Sequence, residues 1–184
     1  MTRTRAIVIL LAIVLAGIAA WFYMRRGHEN VAVDLIQQFP NAKERRPNPD
    51  VFSIIDATIN GQTKKAIFTK DQVGTRIKWD VAVPENAWLN VSLGLKEEAW
   101  KMEGDGVLFR ILVTVGTTND PLLSVQINPY ASPSDRQWNE VTLDLSQYAG
   151  QTVELIFLTN SSPPGADNRN GDLALWGNPR IIVK

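Results

Sequence analysis

Residues 136–160 read RQWNEVTLDLSQYAGQTVELIFLTN. Val141, Leu143 and Leu145 alternate with polar residues, and after a break Val153, Leu155 and Phe157 do the same. A period of two sends successive side chains to opposite faces, so each half reads as a strand with one apolar face. Tyr148-Ala149-Gly150 lies between them as the turn that feeds one strand into the next. The question is whether the rest of the chain repeats this alternation.

It does from residue 51 onward. Residues 75–83 (TRIKWDVAV) set Ile77, Trp79, Val81 and Val83 on one face, with Arg76, Lys78 and Asp80 on the other. In 88–95, Leu89, Val91, Leu93 and Leu95 align, and in 107–115 (VLFRILVTV) so do Val107, Phe109, Ile111, Val113 and Val115. Shorter strands are expected at 51–59, 65–68, 122–127, 138–145 and 181–183. The separators are turn formers: Asn60-Gly61, Pro84-Glu85-Asn86, Gly104-Asp105-Gly106, Asn119-Asp120-Pro121 and the loop 161–171. Many short alternating strands at this spacing predict an all-β fold, an antiparallel two-sheet jelly-roll sandwich over residues 51–184. In it, Trp138, Tyr148 and Trp176 are expected to hold the sandwich together. Tyr148 is read as closing one end, its hydroxyl bonded to backbone, and Trp176 as a plug at the edge of the core.

Several segments resemble one family. AVPENAWLNVSLGLKEEAW, GDGVLFRILV, the stretch quoted above and the late GDLALWGNPRI are similar to the galactose-binding-like jelly rolls, carbohydrate-binding-module-like domains that bacteria append to membrane proteins, glycosyltransferases and glycoside-active enzymes. The matching pattern is W-x-x-V-x-L-D-L-S-x-Y-A-G-Q, the strand after it, and A-x-W-G-x-P-R-I. The resemblance runs from about residue 51 to 184. It implies a fold, and a fold does not supply a function.

The first fifty residues are of another kind. Residues 6–24 (AIVILLAIVLAGIAAWFYM) are an uncharged apolar run. As a helix it would be about 28 Å long against a hydrocarbon core of about 30 Å. Trp21, Phe22 and Tyr23 stand where an interfacial aromatic belt belongs, and Arg25-Arg26 end the span. The alternative is a cleaved signal peptide at Gly17-Ile18-Ala19, but the apolar run continues past the small residues. The expectation is a retained single-pass anchor in the inner (cytoplasmic) membrane, with residues 1–5 as a cytoplasmic tail and the C-terminal domain periplasmic. Residues 25–50 then form a juxtamembrane linker. Its apolar positions Val31, Leu35, Ile36 and Phe39 have a one-sided helical spacing that predicts a short juxtamembrane helix.

Composition narrows the chemistry. Nineteen basic residues balance nineteen acidic ones, which leaves no electrostatic footprint for nucleic acid. There is no cysteine, and the single histidine, His28, lies beside the span. No Gly-rich phosphate loop or Gly-x-Ser-x-Gly elbow occurs, so no catalytic residue is assigned and the chain is read as a non-enzyme. No cofactor is expected beyond a structural Ca²⁺ held by Asp167, Asn170 and Asp172, whose oxygen-rich run suits a hard cation. Arg169 in its midst opposes that reading, and an ordinary polar loop is the alternative. Aromatic candidates for stacking on a sugar ring are Trp88, Trp100 and Tyr130.

Two functions fit. In the first, a single-pass accessory subunit docks its jelly-roll head onto a larger membrane complex, such as a respiratory or photosynthetic one. Its partners would be the lipid bilayer and other integral membrane subunits, contacted through Ala16 and Ala20 in the span and Leu35 and Phe39 just outside it. In the second, the chain is a membrane-tethered carbohydrate-binding module whose partner is a glycan. A sugar-binding module normally serves an attached catalytic domain, and none is visible in this sequence, which favours the first.

Overall fold

The computed structural model describes residues 30–70, 74–161 and 168–184. The span 6–24, with Ala16 and Ala20, and Asp167 lie outside the described residues. Among the described residues no helix is long and apolar enough to cross a membrane.

The alternation in the sequence becomes strands: β1 (Asn30–Asp34), β2 (Glu44–Arg46), β3 (Phe52–Ile59), β4 (Gln62–Thr69), β5 (Thr75–Ala82), β6 (Ala87–Leu95), β7 (Val107–Val115), β8 (Thr118–Ile127), β9 (Asn139–Asp144), β10 (Thr152–Ser161) and β11 (Ala174–Val183). They form two sheets. The first runs β3-β4-β11-β6-β9, with β1 also pairing β11; the second runs β2-β5-β10-β7-β8. The pairings along both of these strand orders are antiparallel. Asn60 and Gly61 both take positive φ, 48° and 74°, the backbone a two-residue hairpin needs between β3 and β4.

The inward faces are the ones the sequence alternation singles out. Ile77, Trp79 and Val81 of β5, Phe109 and Ile111 of β7, and Leu155 and Phe157 of β10 meet Leu89, Val91 and Leu93 of β6. Four aromatic rings run through this core. Trp79 meets Phe157 at 5.2 Å, Phe157 meets Trp176 at 4.5 Å, and Trp176 meets Phe109 at 4.9 Å. Trp176 is only 1% exposed, deep in the core and not at its edge.

The final strand is longer than its sequence suggests. Residues 181–183 are the end of β11, not a separate strand. Trp176 lies opposite Leu93 and Ile181 opposite Leu89, with the register shifting between Gly177 and Arg180. An even and an odd position can face one core only if an extra residue intervenes, and the bulge at Asn178 (φ 46°) provides it.

Residues 30–46 do not form the expected juxtamembrane helix. The chain pairs with β11 through β1, turns through a short 3₁₀ segment at Phe39–Asn41, and pairs with β5 through β2. It thus joins one sheet to the other. Leu35 is fully buried, its N–H donating to the Pro179 carbonyl at 3.0 Å. Phe39 packs edge-on against Phe52 at 6.2 Å. The apolar spacing that mimics a helix is that of a strand end and a 3₁₀ turn folding back on one core. Val31–Lys184 accordingly form one compact unit.

A second, smaller core lies on the outer side of the first sheet. Trp138 packs there with Ala57, Ile59, Ala66, Phe68 and Leu175. Its indole N–H donates to the Gln62 carbonyl at 2.9 Å. A Cβ on Gly177 would stand 2.7 Å from the Trp138 ring, and one on Gly94 would stand 2.5 Å from the Ile59 side chain and 3.4 Å from that ring. Trp138 therefore lies over a glycine-lined stretch of sheet. It does not fill the space between the sheets.

Candidate functional site

The outward face of the second sheet carries side chains from β5, β10, β7 and β8 that the antiparallel register brings into rows. One row is Lys78, Ile156, Leu112 and Pro121. The next is Arg76, Leu158, Arg110 and Ser124. On the other side lie Asp80, Glu154, Thr114 and Asn119. These rows enclose an open groove of about 560 Å³. Apolar Ile156, Leu158, Leu112 and Pro121 line it among polar and charged side chains of the same strands.

The charges on this face are unevenly paired. Glu154 accepts from Lys43 at 2.8 Å and from Lys78 at 2.9 Å. The bonds from Lys43 and Lys78 hold the Glu154 carboxyl below its ordinary range, and the bonds to Glu154 and Asp80 raise the Lys43 ammonium. Glu44 pairs with Arg46 and lies 3.7 Å from Lys78 and 3.9 Å from Arg76. Arg110 has no carboxylate partner among the described residues. Thr114 donates to the Asn119 side-chain oxygen at 2.6 Å, which orients that amide on the rim.

A second recess of about 350 Å³ lies where the crossing segment meets β5, beside Leu35, Gln38, Lys43 and Trp79. Its polar groups are engaged internally. Lys43 bonds Asp80 and Glu154, and the Trp79 indole donates to the Gln38 carbonyl at 3.3 Å. The groove is therefore the stronger site.

The aromatic candidates do not converge there. Trp88 is half-buried, with the Lys184 ammonium 3.9 Å from its ring. Trp100 sits in the 3₁₀ turn Glu97–Lys101, packed against the small outer core, its indole nitrogen enclosed without an acceptor. Tyr130 is 44% exposed in the loop between β8 and β9. Leu35 and Phe39, read as partner contacts, lie instead in the protein's own core.

Of the calcium candidates, Asn170 donates its side-chain amide to the Glu103 carbonyl at 2.7 Å, and this ties two loops together. Asp172 is buried. No cluster of three His, Cys, Asp or Glu side chains suited to a metal occurs among the described residues. The Tyr148 hydroxyl donates to the Asp120 carboxylate at 2.5 Å, whereas a backbone partner was expected. Burial first, then this bond, pushes the phenol up to about 12.

Sequence reasoning missed Arg110, Asn119 and Glu154 as neighbours. The alternation sets Arg76 and Lys78 outward, but the pairing of β5, β10 and β7 is long-range and leaves no local signal.

The two-sheet jelly-roll fold is shared with carbohydrate-binding modules of known structure. TmCBM61, solved in complex with β-1,4-galactotriose, superposes with a TM-score of 0.51 at 10% identity, over 77% of this chain and 88% of that one. The CBM51-2 and INT domains of Clostridium perfringens ZmpB, in complex with GlcNAc, give 0.51 at 10% identity, over 78% of this chain and 30% of that one. No family model matches the chain. An uncharacterized protein of Archaeoglobus fulgidus is 38% identical over 104 residues, 55% of this chain, and the match spans 25% of that protein's length.

Proposed function

We propose that the domain is a non-catalytic glycan-recognition module, tethered to the membrane by the 6–24 span, and that the groove on the second sheet is its binding surface. The observation that carries this is the groove itself, where apolar side chains lie among hydrogen-bonding ones. A sugar ring has a less polar face that suits Leu158 and Leu112, and hydroxyls that suit Asn119, Thr114 and the arginines. The apolar side chains are aliphatic, so the ring would be seated by shape and hydrogen bonds without aromatic stacking. The shared fold of two modules solved with saccharides supports the same reading. The accessory-subunit reading is weakened because Leu35 and Phe39, two of its four contact positions, are buried in the domain.

The test is a glycan array probed with the full chain in mild detergent, followed by calorimetry on the hits. Asn119→Ala and Leu158→Asn should each weaken binding about tenfold, the ~1.4 kcal/mol scale of one lost contact. Their melting temperatures should stay close to the parent's. An array without hits, or hits indifferent to both substitutions, would refute the proposal.

A further inference from the structure

We propose that the saccharide this groove takes is acidic, with its carboxylate held between Arg76 and Arg110 over Leu158. This deepens the glycan reading above and rests on it.

The charges on this face differ in how far they are already satisfied. Lys78 and Lys43 share Glu154, so one row of the face is internally neutralised. Arg76 reaches only Glu44, at 3.9 Å, and that carboxylate also pairs with Arg46. Arg110 meets no carboxylate among the described residues. Leu158 sits directly opposite both Arg76 and Arg110, one on each neighbouring strand. Two strand spacings put the arginine backbones about 10 Å apart, with an apolar side chain between them. The row therefore carries two guanidinium groups and no described anion of its own.

Edge protection does not account for this placement. Cations that guard a sheet against pairing belong on its edges. The edges here are β2 and β8, while β5 and β7 flank the central β10. The residue type points to the ligand as well. Guanidinium groups present planar forks that match a carboxylate, where an ammonium offers a point charge. Apolar Leu158 lowers the local polarity beside that contact and strengthens it. Thr114 and Asn119 lie along the same face and can bond the ring hydroxyls.

Calorimetry of the full chain in mild detergent with an oligogalacturonate, its fully methyl-esterified counterpart and β-1,4-galactotriose tests the inference. The acid should bind at least about tenfold more tightly than the ester, with an affinity that falls as salt rises. Arg110→Gln should abolish the preference for the acid, bringing its affinity down to that of the ester in the same variant, and Arg110→Lys should keep part of the preference. Thermal melts of both variants check that the fold is intact. Equal affinity for acid and ester, or a preference that survives Arg110→Gln, overturns the inference. Displacement of the oligomer by an equal concentration of inorganic sulfate also overturns it, because the groove would then hold any anion. Galactotriose bound without a preference for acid would sink this inference alone. Binding of no saccharide would sink the glycan reading with it.

Discussion

Gly177→Ala isolates the contact on which the small outer core depends. Gly177 does not require the left-handed backbone, so the substitution is decided by space. The new methyl would stand 2.7 Å from Trp138 Cζ3, 3.0 Å from Cη2 and 3.1 Å from Cε3. The ring has little room to retreat, because its N–H is bonded to the Gln62 carbonyl and the Lys64 ammonium lies 5.7 Å from its centroid. Overpacking of this kind costs about 1–3 kcal/mol. Replacing glycine also removes unfolded-state freedom, a gain of about 0.4–1 kcal/mol. The net loss should be about 1–2 kcal/mol, or a melting temperature lower by roughly 3–6 °C for a unit of this size. The assay is chemical denaturation of Gly177→Ala, Trp138→Leu and the double variant. With the indole gone the methyl has room, so Gly177→Ala should be neutral or slightly stabilising in the Trp138→Leu background, with a coupling of at least about 1 kcal/mol. Equal costs in both backgrounds would refute the claim that Trp138 dictates glycine at this position.

Three further expectations follow from the same packing. Trp176→Ala removes the ring between Phe109 and Phe157 and should cost about 3–5 kcal/mol by denaturation, without altering any glycan affinity that survives folding. Burial first, then the bond to Asp120, push the Tyr148 phenol from its ordinary 10.0 up to about 12, so the fold favours the neutral form. Its contribution is complete below pH 10 and is lost as pH rises through 12, and Tyr148→Phe should flatten that alkaline loss in melts taken across the window. If the apolar run 6–24 is a retained anchor, intact-mass analysis of the native protein should find a chain starting at or next to Met1. A mature form beginning near Ala20 or Trp21 would refute the anchor.

The sequence by itself determined which faces of β5, β6, β7 and β10 enter the core, because side-chain direction in a strand is set by nothing more distant than residue i+2. It also determined the hairpin at Asn60-Gly61, whose positive φ values are a property of those residues. Tertiary structure decided whatever depends on register or on a distant surface. The helical spacing of Leu35 and Phe39 is equally the spacing of a chain that crosses between two sheets, and only the open edge those sheets leave selects the second. Trp138 reads as a sandwich aromatic, yet its place on the outer face follows from Gly94 and Gly177, which are far from it in sequence. The groove depends on register most of all. Arg76, Leu158 and Arg110 belong to three strands, and they meet because β10 pairs with β5 on one side and β7 on the other. A shift of one residue in either pairing would turn a row of this groove inward, and the buried faces of the core forbid that shift.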